Sequence, residues 1–206
     1  MQTRSPGTVS FSKEFLSESV AVIDAIDTNQ IEDVANGLAA LRDRGGRLFI
    51  IGVGGSAGHA SHAVNDFRKI CDIEAYTPTD NVSELTARVN DEGWDTTFAE
   101  WLRGSRLSAN DALLVFSVGG GDEAKGVSAN IVAALRLATE RDTPIFGIVG
   151  RDGGTTAKLA AAAVIIPPLF ADHITPLTEG LCAVVWHLLV THPGLAKVAT
   201  RWESLK

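Results

Sequence analysis

Four short, almost wholly apolar runs constrain this chain most: Arg47-Leu48-Phe49-Ile50-Ile51-Gly52, Ala112-Leu113-Leu114-Val115-Phe116-Ser117, Pro144-Ile145-Phe146-Gly147-Ile148-Val149 and Ala162-Ala163-Val164-Ile165-Ile166. A strand that does not alternate apolar with polar is buried on both faces, which is the condition of a parallel sheet covered by helices. Helical spacing separates these runs, over about Ala57 to Cys71, 83–90, 95–104, Ser128 to Arg141, 155–160 and Thr178 to Thr191. Glu74-Ala75-Tyr76-Thr77 supplies a short further strand. The pattern predicts an α/β fold with a doubly wound, mainly parallel five-stranded sheet flanked by helices. Before the sheet, Phe15, Leu16, Val20, Ile23 and Ile26, then Ile31, Val34, Leu38 and Leu41, mark two amphipathic N-terminal helices broken near Asp27-Thr28-Asn29 and stopped by Gly45-Gly46. With 206 residues and no repeat or interdomain linker, a single domain is expected: a helical segment over about 10–44, a core over 45–192 and a tail over 193–206.

The chain carries 25 Asp+Glu against 18 Lys+Arg, a net charge of −7, which argues against a nucleic-acid binder with a basic face. Two cysteines, Cys71 and Cys182, form no disulfide framework, and a reducing cytoplasm is expected. The segment MQTRSPGTVSFSKEF has no apolar h-region, and no uninterrupted apolar run approaches a membrane span, so no membrane partner is expected.

Three strands end in glycine-rich turns, GVGGSAG, SVGGGDEAKG and GRDGG. Ligands of a doubly wound sheet bind beyond the carboxyl ends of its strands, and glycine there lets backbone N–H groups approach an anion. Gly54, Gly55 and Ser56 in the first turn, and Ser117, Gly119, Gly120 and Gly121 in the second, are therefore candidates for binding a phosphate, with Lys125 as a nearby cation. Gly52-Val53-Gly54-Gly55-Ser56-Ala57 matches a dinucleotide fingerprint only in its G/A variant, and no clear strand precedes the acid that fingerprint needs. There is no Walker lysine.

His62 and Asp66 stand four apart on one helical face, so they can hold a divalent metal or divide acid and base roles. The last helix carries Glu179 and His187 among apolar residues. These two lie within about 80° on one side but about 12 Å apart along the axis. Periodicity permits a four-residue site without fixing it.

The segments IGVGGSAGHASHAVNDF, VNDEGWDTTFAEWL, ALLVFSVGGGDEAKG, IFGIVGRDGGTTAKLA and AAVIIPP, with the closing apolar helix bearing His187, resemble the SIS (sugar isomerase) family, and within it the phosphoheptose isomerases. The resemblance spans about residues 10 to 192. It implies an aldose–ketose isomerase acting on a phosphorylated sugar, most specifically sedoheptulose 7-phosphate to a heptose 7-phosphate, through an enediol. It also implies a homotetramer with clefts shared between subunits, and bound zinc. By this resemblance His62, Asp66, Glu179 and His187 are the metal-ligand positions, Asp66 and His187 the acid and base, Ser56 a phosphate ligand, and Asp91 the aspartate of the ND segment. The sequence departs from the family at Asp66, where a glutamate is usual, at Glu179, where glutamine is usual, and at Val53, where asparagine is usual. In the second turn most of the family's hydroxyls are missing and Asp122 is present. That loss keeps a second reading open, a non-catalytic SIS module that binds a sugar phosphate or a protein partner.

Overall fold

A computed structural model describes residues 10–199. Strands β1 (Leu48–Gly52), β3 (Ala112–Ser117), β4 (Ile145–Gly150) and β5 (Ala162–Ile166) grow out of the four apolar runs, and β2 is only Ala75–Tyr76. All pair in parallel, in the order β2-β1-β3-β4-β5. The helices are α1 (Phe11–Asp24), α2 (Thr28–Asp43), α3 (Gly55–Cys71), α4 (Val82–Glu92), α5 (Thr97–Gly104), α6 (Ala129–Glu140), α7 (Gly154–Leu159) and α8 (Ile174–Thr191).

Side-chain alternation along each strand divides the interior into two layers. Leu48, Ile50, Leu114, Phe116 and Ile148 pack against α2, α3 and α8, while Phe49, Ile51, Leu113, Val115 and Ile145 pack against α5 and α6. The sheet is thus covered on both faces, which is why no strand alternates in sequence. Its order reverses direction between β1 and β3, so the crevice of a doubly wound sheet falls beyond Gly52 and Ser117.

At the opposite edge Asp111 joins the starts of β1 and β3. Its buried carboxylate accepts from Arg47 Nε (3.0 Å), Arg47 Nη2 (2.9 Å) and the Arg47 backbone N–H (3.2 Å), and from Ser108 N–H and Oγ (both 2.9 Å). Burial alone would push its pKa up, but the Arg47 and Ser108 hydrogen bonds outweigh burial and hold it below the ordinary value.

The final helix begins at Ile174, four residues before the expected start, because Pro176 falls in the first turn, where a missing N–H costs no helical hydrogen bond. Ala171–Thr191 is long and apolar enough to cross a membrane by length and composition. In this fold Leu177, Leu181, Val185, Trp186 and Leu189 are core residues, which accounts for that apolarity. The chain stays on the domain past 192: Leu195 is fully buried and its carbonyl accepts from Arg42 Nη1 at 2.6 Å. Cys71 and Cys182 are free thiols, each pushed up to about 12 by burial. Helix α1 is largely exposed, with only Val22 buried. It is held by the His173–Glu18 pair (2.5 Å) and by Phe15 against the His173 ring, and leaves Leu16, Val20 and Ile23 exposed.

Candidate active site

Beyond β1 the backbone turns through Gly54 (φ +63°) into α3, and Ser56 is buried in its first turn with a hydroxyl that makes no hydrogen bond among the described residues. The first turns of α8 cover this edge. Thr178 Oγ1 lies 2.5 Å from where a Cβ on Gly150 would stand, and both carboxylate oxygens of Glu179 lie 2.9 Å from the corresponding point on Gly55. Glycine at 55 therefore makes room for Glu179. Helix α8 then runs along α3, and packing of these two apolar faces brings residues more than half the chain apart into contact.

His62, Asp66 and His187 converge there, each offering a ligand atom within 4.8 Å of the other two. The His62 and His187 rings stand 5.3 Å apart at 83°, and Trp186, fully buried, packs edge-on to His62 at 4.8 Å. His187 Nδ1 donates to the Ala183 carbonyl at 2.7 Å, which leaves Nε2 with its lone pair free. The Asp66 side chain is 5% exposed, against 58% for His62. Asp66 Oδ1 accepts from Asn65 Nδ2 at 2.8 Å, whereas Oδ2, 3.6 Å from His62 Nε2, is buried with no hydrogen-bond partner. It is the one buried carboxylate oxygen so placed among the described residues.

An orphaned buried oxygen beside two imidazoles is the situation that a divalent cation relieves, and two nitrogens plus one carboxylate make a three-ligand set with an open position. His62, Asp66 and His187 fit such an ion. Glu179 lies outside this trio, against Gly55 at the start of α3.

The second turn is placed differently from the first. Gly120 N–H donates to Ser117 Oγ (3.0 Å), Gly121 O accepts from Thr155 N–H (2.8 Å), and Gly120 O accepts from Thr156 N–H (2.9 Å) and Thr156 Oγ1 (2.7 Å). Gly120 has φ +67°, and a Cβ there would sit 1.9 Å from Gly153 O. A Cβ on Gly154 would sit 2.2 Å from Gly119 O. These glycines thus lock the second turn onto the third, backbone against backbone. Residues 122–127 form a small antiparallel hairpin, in which Lys125 Nζ pairs with Asp122 at 3.1 Å and holds its carboxyl below the usual range. Gly119, Gly121 and Lys125 face a cleft of about 700 Å³ with Arg151 and Lys158, and none of Ser56, His62, Asp66, Glu179 and His187 lines it. Asp91 is exposed near the end of α4 and accepts from Asn90 Nδ2 at 2.7 Å.

Sequence reasoning missed the groups that orient the trio: Asn65, the Ala183 carbonyl and the Trp186 ring. The first two carried a local signal, since Asn65 adjoins Asp66 and Ala183 lies one turn before His187.

A parallel sheet with glycine turns at its carboxyl edge, and two imidazoles and a carboxylate converging from two helices packed beside it, defines an α/β domain of the doubly wound, ligand-binding type. Residues 14–150 match the SIS domain family, and the chain belongs to it. Among relatives, it is 34% identical over 176 residues, 82% of each chain, to the phosphoheptose isomerase of Halorhodospira halophila. It is 36% identical over 151 residues to the lincomycin biosynthesis protein LmbN of Streptomyces lincolnensis, covering 70% of this chain but only 54% of that protein. In structure it resembles the phosphoheptose isomerase GmhA from Neisseria gonorrhoeae, with a TM-score of 0.75 at 24% identity over 86% of this chain and 94% of that one.

Proposed function

We propose that this chain is a sugar-phosphate isomerase that interconverts sedoheptulose 7-phosphate and an aldoheptose 7-phosphate, and works in the cytoplasm as a zinc-bearing homotetramer. The convergence of His62, Asp66 and His187 around an unpartnered carboxylate oxygen carries the proposal. Phosphoheptose isomerases among the relatives supply the substrate. Two free thiols support a reducing compartment, and the apolar residues left exposed on α1 and α8, Leu16, Val20, Val184 and Leu188, support assembly.

In the forward direction one proton leaves C1 of the ketose and one is returned at C2, while a hydroxyl proton passes from O1 to O2; no electrons are gained or lost overall. Asp66 is assigned the carbon-bound proton, because Oδ2 has no competing donor. His187 is assigned the exchange between oxygens through Nε2, since Nδ1 is committed to Ala183. Ser56 and the Gly54 and Gly55 amides at the start of α3 are assigned the phosphate. Zinc held by His62, Asp66 and His187, with Glu179 as a fourth candidate, would polarise the carbonyl and hydroxyl oxygens of the sugar. A carboxylate bound to a cation is a weak base, so Asp66 acts on carbon only when it is released from that role.

The test is conversion of sedoheptulose 7-phosphate by the purified protein, with metal content measured on the same sample. His62→Ala and His187→Ala are expected to lose bound metal and turnover together. Turnover retained in both variants refutes the site. Sugar-phosphate binding without turnover in the wild type would instead establish the non-catalytic module.

A further inference from the structure

Trp186 is the one large aromatic side chain on α8. Its buried neighbours Leu177, Leu181, Val185 and Leu189 fill the core without any group that needs a hydrogen bond. Trp186 is fully buried as well, but its Nε1–H has no acceptor among the described residues. A buried donor without a partner is destabilising, and leucine or phenylalanine would occupy the core without one. Packing alone therefore does not account for an indole at this place.

The contacts of the indole do account for it. Successive residues of a helix project about 100° apart, so the backbone cannot aim both Trp186 and His187 at α3. Trp186 takes the direction of the core, and the His187 ring nevertheless folds back onto it, with centroids 3.5 Å apart and planes inclined by 27°. The Nδ1 bond to the Ala183 carbonyl pins one atom of that imidazole, and the indole face sets its plane. The same indole stands edge-on to His62, 4.8 Å away at 70°. His62 has little else to hold it: its side chain is 58% exposed, makes no hydrogen bond among the described residues and lies 3.6 Å from Asp66 Oδ2. Two imidazoles from distant parts of the chain thus rest on one rigid ring system. Ligand rings that are oriented before an ion arrives bind it more tightly.

Building on the metal centre proposed above, we infer that Trp186 is a positioning residue of that centre, which fixes the rings of His62 and His187 together and so sets how tightly the trio holds an ion. The indole ligates nothing itself, and its effect passes through the two imidazoles.

Titration of the metal-free protein with Co²⁺ alone, followed by bound metal and by tryptophan emission, tests this role. Trp186→Leu is expected to lose about 10–100-fold in Co²⁺ affinity, the usual cost of removing a group that orients a metal ligand. Trp186→Phe, which keeps a smaller aromatic face, is expected to fall between that variant and the wild type. Leu181→Ala, a core truncation elsewhere on α8, is expected to melt lower in chelator yet bind Co²⁺ as the wild type does. Bound Co²⁺ quenches a nearby indole, so the wild type is expected to lose a fraction of its emission that Trp186→Phe, with Trp94, Trp101 and Trp202 remaining, does not lose. A wild type that takes up no Co²⁺ overturns the metal centre, and the role of Trp186 with it. A wild type that binds Co²⁺, beside a folded Trp186→Leu that binds it equally well, overturns the role of Trp186 alone. That role is overturned equally if Leu181→Ala loses as much affinity as Trp186→Leu, or if Co²⁺ quenches the wild type and Trp186→Phe to the same extent. The emission comparison needs no leucine variant, so it decides the matter even if Trp186→Leu fails to fold.

Discussion

Replacing Asp66 with Asn should move stability in opposite directions with and without metal. In the metal-free chain Asp66 Oδ2 is buried with no donor, and Asn is nearly the same shape without the carboxylate's charge. An unsatisfied buried polar atom costs about 1–3 kcal/mol, and more when charged. Part of that cost returns because the new amide hydrogens also need acceptors, with His62 Nε2 only 3.6 Å from the Oδ2 position. A net gain of about 1–2 kcal/mol is expected, which for a chain of this size raises Tm by about 2–8 °C. With metal the order reverses. Zinc at a hundred times its dissociation constant stabilises the wild type by about 2.7 kcal/mol, while the variant has lost its only buried ligand oxygen and gains little. The assay is a melting curve of each protein in chelator and in a zinc series, read against bound metal by elemental analysis. A metal-free variant that melts below the metal-free wild type, or equal zinc-induced shifts in the two proteins, refutes the reasoning.

Gly120→Ala should lower stability by about 3 kcal/mol, because the left-handed backbone strains alanine and its Cβ would lie 1.9 Å from Gly153 O; a urea midpoint indistinguishable from wild type would disprove the interlock of the two turns. Asp111→Asn should cost about 3 kcal/mol, since it leaves Arg47 without its buried partner. The same carboxyl titrates lower in the folded chain than in the unfolded one, so its contribution is complete above about pH 3.9 and drains away as pH falls through the depressed folded value. Urea unfolding between pH 2 and 7 should therefore show an acid limb that is shallower in the variant. An unchanged limb would assign the acid sensitivity to other carboxylates.

The sheet was legible because each of four strands is a complete apolar run, and burial on both faces leaves that run unbroken. Strand β2 was hardly legible: two residues on a sheet edge carry no period. The α8 boundary was misplaced because Pro176 reads as a stop, although a first-turn proline is tolerated. His62 and Asp66 could be paired from their spacing, but nothing periodic ties either of them to His187; only the resemblance did. The second turn was legible only in part. Three consecutive glycines look the same in sequence whether their amides face an anion or their carbonyls face a neighbouring helix, and here Gly120 and Gly121 turn their carbonyls to α7. Which way a turn faces depends on Thr155 and Thr156, more than thirty residues further along.

The trio draws two members from α3 and the third from α8, the last helix among the described residues. During synthesis on the ribosome, a nascent chain that has already built β1, α3 and β3 holds an imidazole and a carboxylate, but not a chelate. Tight metal capture must await the arrival of α8 and its docking along α3. In the proposed metal-bearing form, retention of an ion therefore reports a docked α8, and truncated or misdocked chains are expected to fail to keep one.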